Sequence, residues 1–116
     1  MIHMLSRFNL KENADPEAFA QGYARLAAEM RAAGMAEATG PVGRRVGDTP
    51  MDTDADDAPE YYAIMTFRDR AQLDAAYAHL LSAGGAAPTS GAHNTVTAMI
   101  CDPVFTCSSL WKVVGR

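Results

Sequence analysis

The chain has 116 residues, 48% of them hydrophobic and 21% charged, which is the balance of a globular domain with a single core rather than of a disordered segment. No stretch approaches the roughly 18 consecutive apolar residues of a membrane span, so a membrane partner is not expected. A formal charge of −4 without any basic stripe also argues against nucleic acid, whose phosphates need clustered cations. The opening MIHMLSRFNL lacks the basic start, long apolar stretch and small-residue cleavage site of a secretory signal, so a cytoplasmic location is expected. Cys101 and Cys107 have no CxxC spacing and are expected as reduced thiols.

Residues 1–10 alternate with a two-residue period, placing Ile2, Met4, Phe8 and Leu10 on one side and His3, Leu5, Arg7 and Asn9 on the other, as in a strand. Asp15 is a side-chain cap, Pro16 fits a first helical position and Glu17 suits the positive end of the helix dipole. Phe19, Tyr23, Leu26, Met30 and Ala33 then recur at three- and four-residue steps, and Gly34 ends the helix. The next strand, residues 35–46, is weakened by Gly40, Pro41 and Gly43; because Pro41 cannot donate to a ladder, it belongs on a sheet edge. Residues 48–60 are acidic, contain two prolines and cannot bury themselves, so they form a loop.

Residues 60–67 read as a strand apolar on both sides, with Tyr61, Ala63, Met65 and Phe67 against Tyr62, Ile64 and Thr66. Asp69 with Gln72 signals a capped helix carrying Leu73, Ala76, Tyr77, Leu80 and Leu81, which stops at Gly84 and Gly85. A fourth strand is expected over residues 95–102, with Val96, Ala98 and Ile100 against Thr97, Met99 and Cys101, before Pro103 interrupts it. Residues 104–116 form a C-terminal arm or a further strand, and Trp111 is expected to clamp it onto a partner.

The order βαββαβ specifies an α+β, ferredoxin-like domain spanning 1–116, with a four-stranded antiparallel sheet whose first and third strands are central. Right-handed crossovers place both helices on one face. The other face then holds Leu5, Tyr62, Ile64 and Met99, too apolar to leave in water. A second copy of the chain is the expected cover, making a homodimer.

On this element order, on the opening strand MIHMLSRF and on the strand-to-helix stretch YYAIMTFRDRAQLDAAYAHL, the chain resembles the dimeric α/β barrel superfamily over residues 1 to about 103. The resemblance implies two ferredoxin-like subunits packed sheet to sheet around a lumen. The superfamily includes cofactor-independent monooxygenases acting on polycyclic aromatics, haem-degrading monooxygenases, small isomerases and proteins without known activity, so the fold alone names no reaction. The haem-degrading members combine an Asn on the first strand, a Trp on the third and a His on the second helix. Asn9 and His79 occupy comparable elements here, but no Trp lies in residues 60–67, so no cofactor is expected.

His3, Arg7 and Tyr62 fall on the lumen side and are the candidate ligand-binding residues: a proton shuttle, an anchor for an anionic or enolate oxygen, and a group to orient a phenol. Because His3 and Arg7 stand roughly 13 Å apart along a strand, they would meet only through a shared ligand. The competing reading pairs Arg7 with an acid across the dimer and leaves His3 solvated. Asp52, Asp54 and Asp56 follow the start of a calcium loop, yet Asp57 replaces its Gly and Ala63 its bidentate Glu. The three histidines have no metal-ligand spacing, and no metal is expected. The acidic loop is a candidate lid, with Arg44 and Arg45 near enough in sequence to pair with it. Two functions follow: a dimer whose lumen binds a small organic molecule as a cofactor-free oxygenase or isomerase, or a non-catalytic ligand-binding or structural dimer.

Overall fold

In the computed structural model, which describes residues 1–80 and 90–110, the opening run forms strand β1 (Ile2–Leu10). Its even side turns inward, with Phe8 buried and Ile2, Met4 and Leu10 packed against the core. Asp15 accepts from the Glu17 backbone N–H at 3.2 Å and starts helix α1 (Pro16–Ala32). Phe19, Tyr23, Leu26, Ala27 and Met30 are its buried face. At the far end Gly34 has φ +72°; its N–H donates to the Arg31 carbonyl, and that of Met35 donates to the Met30 carbonyl. That paired closure is the Schellman stop, which a β-carbon at a positive φ would strain.

The strand expected over 35–46 is broken in two: β2 (Ala38–Thr39) and β3 (Gly43–Arg44), both antiparallel to β4 (Tyr61–Phe67). Their registers differ by one residue because Pro41, between them, supplies no donor. This break makes the count five strands rather than four among the described residues, while the sheet order, β2–β4–β1–β5, is that of the ferredoxin-like fold with β1 and β4 central.

Helix α2 (Arg70–Leu80) begins at the expected Asp69–Gln72 signal. The Gln72 N–H donates to Asp69 Oδ1 at 2.8 Å, and Gln72 Oε1 accepts from the Arg68 N–H at 2.6 Å. Gln72 is buried, and its Nε2 also donates to the Gly34 carbonyl at 2.9 Å, so one amide ties the start of α2 to the end of α1. The expected Leu81, Gly84 and Gly85 stop lies outside the described residues, as does Trp111.

The expected strand over 95–102 is corrected. Residues Ser90–Thr97 form helix α3, and the strand, β5, runs Ile100–Ser109. The alternation of Val96, Ala98 and Ile100 satisfied a period of two, but Val96 is also one helical turn from Ala92, and both pack into the core. Tertiary contact decides: Val96 lies over Gly22 of α1, where the helices meet side by side. Met99, expected on the open face, packs against the core instead, because it sits in the turn after α3 and not in a strand. Pro103 does not end the strand. Asn9 faces Cys101 and Arg7 faces Val104, so Asp102 and Pro103 together oppose Phe8 in a bulge, with Asp102 at φ +53°. Residues 104–109 of the expected arm are therefore the second half of β5.

A β-carbon added at Gly22 would meet Val96 Cγ2 at 3.8 Å, an ordinary contact. Gly22→Ala should therefore raise stability by about 0.5–1 kcal/mol, since glycine inside a helix is the more costly residue. The urea midpoint reads this directly; a fall in midpoint would mean that α1 and α3 pack more tightly than described.

Candidate functional site

The sheet has two faces of different chemistry. On the open face, the β1–β4 register sets His3 beside Thr66, Leu5 beside Ile64 and Arg7 beside Tyr62. His3 Nδ1 and Thr66 Oγ1 share a hydrogen bond of 2.9 Å, which holds the imidazole down on the strand. Arg7 makes no hydrogen bond or ion pair to the described residues. The Tyr62 ring lies over Gly43, where any β-carbon would collide with it, so Gly43 fixes the ring position. Arg7 and Tyr62 are thus neighbours, while His3 stands four residues up the same strand. Ile64 and Val104 leave 42% and 45% of their surface exposed on this face.

Ion pairs tie the acidic segment down beside β3. Arg45 grips Asp54 with Nε and Nη2 at 3.0 and 2.8 Å, and Arg44 reaches Glu60 at 2.8 Å. Both arginines therefore pair with the acidic segment. The hydrogen bond from Arg45 holds the Asp54 carboxyl below its ordinary range, with a smaller pull from Arg7. Asn9, on β1, accepts from the Glu60 N–H at 2.9 Å and anchors the end of the segment.

The described residues enclose a cavity on the other face, between the sheet and the three helices. It measures about 360 Å³, within the roughly 300–1,000 Å³ of small-molecule sites. None of His3, Arg7 and Tyr62 lines it. A column of rings builds its end wall: Phe8 tilts against Phe19 at 5.1 Å between centroids, and Phe19 stacks on Tyr23 at 6.4 Å. Met4, Met65 and Phe67 form the floor on the sheet, and Leu73, Tyr77 and Leu80 form the α2 side. Among the described residues, no Asp, Glu, Lys or Arg lines it.

Three polar groups stand out in this apolar chamber. Ser6, on the centre of β1, is 8% exposed and lines the chamber. His93, on α3, buries Nδ1 with no partner among the described residues. Burial pushes the His93 imidazole below its ordinary value, and pushes the Tyr23 phenol above its own, so both are neutral at pH 7. A buried ring nitrogen without a partner costs about 1–3 kcal/mol, a cost that a ligand's own polar atom would remove.

The sequence held one signal of this site. Ser6 is the single polar residue in the parity Ile2, Met4, Ser6, Phe8, Leu10, and the alternation passes through it without a break. His93 carried none, because the segment reads as loop and strand until α3 is seen.

Among the described residues, no three His, Cys, Asp or Glu side chains are grouped to hold a metal, and no helix is long and apolar enough to cross a membrane. No protein-family model matches the chain, and no curated protein matches it. Solved structures do. The Arabidopsis thaliana protein At3g17210 superposes with a TM-score of 0.70 at 13% identity, over 97% of this chain and 98% of that one. A dimeric ferredoxin-like protein of unknown function from Thermobifida fusca gives 0.60 at 14% identity, over 94% and 90%. SnoaB of Streptomyces nogalater, a cofactor-independent oxygenase, gives 0.56 at 16% identity, over 99% and 97%. The chain has the ferredoxin-like fold of these proteins. At these identities the likeness establishes the fold and no more.

The depressed value at His93 has a testable sign. A folded-state value below the ordinary 6.5 means that the neutral ring favours folding; its contribution is complete above about pH 6.5 and is lost as pH falls through the folded value. His93→Gln should flatten the decline of the urea midpoint between about pH 7 and pH 5 relative to the parent. An unchanged slope would show that the imidazole is solvated when folded.

Proposed function

We propose that the protein is a homodimer joined through the open face of its sheet, and that each subunit admits a small apolar organic molecule to the chamber under its helices, acting there as a cofactor-free oxygenase or isomerase. The observation that carries this reading is the chamber itself, apolar on nearly every side yet holding the buried His93 Nδ1 without a partner among the described residues. Ser6 would bind the ligand's carbonyl or hydroxyl oxygen. His93 would accept a proton from an acidic C–H or O–H of the ligand, and its neutral form is the one able to do so.

Removing that proton leaves an enolate in a site poor in water. Returned to a different carbon, the proton completes an isomerisation. Met by O₂, the enolate gives up one electron, and the resulting radical and superoxide combine to a peroxide that loses water to a new carbonyl. The carbon is oxidised and O₂ supplies both that oxygen and the one in water, so no further reductant is needed. The likeness in fold to SnoaB supports the oxygenase branch.

The dimer is supported by the exposed apolar residues Tyr62, Ile64 and Val104 beside half-buried Leu5, and by the dimeric ferredoxin-like neighbours. In it His3, Arg7 and Tyr62 lie in the seam between subunits, where Arg7 would meet an acidic group of the partner or the oxygen of a second small ligand. The acidic segment, pinned by Arg45, would then border the seam as a lid. A cytoplasmic location fits the reduced thiols expected of Cys101 and Cys107.

Anthrone, a tricyclic carbon acid, serves as the probe for the chamber. The protein should consume O₂ and anthrone in equal amounts without added cofactor, and His93→Gln should lower kcat about 100-fold or more with little change in anthrone affinity. Anthrone that neither binds nor is consumed would overturn the proposal; binding without turnover by the parent would reduce it to a binding protein. For the dimer, Ile64→Glu should halve the mass found by light scattering, and an unchanged mass would place the interface elsewhere.

A further inference from the structure

Strand register gathers positive charge at one place on the open face. Arg7 of β1 and Gly43 of β3 both stand opposite Tyr62 of β4, one on each flank. The Arg45 N–H donates to the Glu60 carbonyl at 2.7 Å and extends the β3–β4 ladder, so alternation sets the Arg45 side chain on the same face as Tyr62 and Arg7. Gly47, at φ +83°, leaves room for the Arg45 guanidinium, because a β-carbon there would stand 2.7 Å from Nη1. The acidic segment answers this charge with two carboxylates. Asp54 accepts both hydrogen bonds of the Arg45 fork and is drawn toward Arg7 as well. Asp52, which accepts from the Thr49 hydroxyl at 2.6 Å, adds to the field at Arg45. Arg44 and Glu60 pair with each other and leave the balance unchanged.

We infer that Asp54 is the charge-compensating residue of the interface between two copies of this chain: its carboxylate offsets Arg7 and Arg45 on each open face and so lets two such faces close on one another. Without it, each copy would bring two arginines to a seam poor in water, where like charges repel far more strongly than in solvent. As a lone surface ion pair the Arg45–Asp54 contact would add little to stability, so its effect lies in the charge it removes from the face. The inference rests on the proposal that the open face is the interface. It also narrows the part Arg7 plays there, since a carboxylate of its own subunit already answers its charge.

The test measures the dimer dissociation constant of the intact protein by sedimentation over a dilution series. Asp54→Asn, which keeps the shape and removes the charge, should raise the constant about tenfold at about 50 mM salt, and the loss should fade at about 500 mM, where screening is strong. The parent should change little over the same range. Adding Arg7→Gln to Asp54→Asn should bring the constant back near the parent value, because the unanswered charge is gone. A constant unchanged by Asp54→Asn while Ile64→Glu still halves the mass would overturn the inference and leave the dimer standing. A loss that neither salt nor Arg7→Gln relieves would also overturn it, and would make Asp54 a structural clasp alone. If Ile64→Glu leaves the mass unchanged, the interface and this inference fall together.

Discussion

Packing of the even-numbered side of β1 against α1 is the constraint from which the rest of the molecule follows. Phe8 meets Phe19 there, and once that contact is made the two-residue period of the strand leaves no freedom: Ser6 and Met4 must face the helices, and Leu5 and Arg7 must face away. The antiparallel register carries the same division into β4, where Ala63, Met65 and Phe67 go inside and Tyr62, Ile64 and Thr66 outside. A slip of one residue would exchange the two faces and put Arg7 into the core.

That division separates the two kinds of chemistry in the molecule. The inner face with its helices is a chamber to which the described residues bring no charged side chain, and in it a histidine stays neutral and a tyrosine stays protonated because burial penalises the ion of each. The outer face carries Arg7, His3 and the ion pairs of the acidic segment. Coupling between them is confined to the strands: Ser6 lies between Leu5 and Arg7 on one backbone, with its hydroxyl on the opposite side. The chamber and the open face therefore share β1 without sharing a side chain.

Departures from the expected elements cluster in the last third of the chain, and for one reason. Local pattern reads Val96 and Ile100 as strand residues on one face because both lie two apart from Ala98. The structure puts a helix boundary and a turn between them, since Gly22 gives α3 a flat place to dock and Val96 buries itself there. Similarly, Pro103 reads as a strand terminus, yet a bulge with Asp102 in the left-handed region absorbs the missing donor and β5 continues for six more residues. The bulge also restores the parity that brings Phe105 and Cys107 to the chamber.

By itself the sequence determined the element order through α2, the helix caps, the edge position of the proline-bearing segment and the two faces of β1 and β4. These are set by contacts within a few residues and by the strict alternation of a strand, both of which are written locally. Only the tertiary structure decided that α3 exists, that β5 is long, and that the enclosed space lies between sheet and helices, with Ser6, Tyr23, His93 and Cys107 around it. Those four residues come from four different elements, and their meeting depends on how helices dock on a sheet, a sum of long-range contacts that no short stretch of chain encodes.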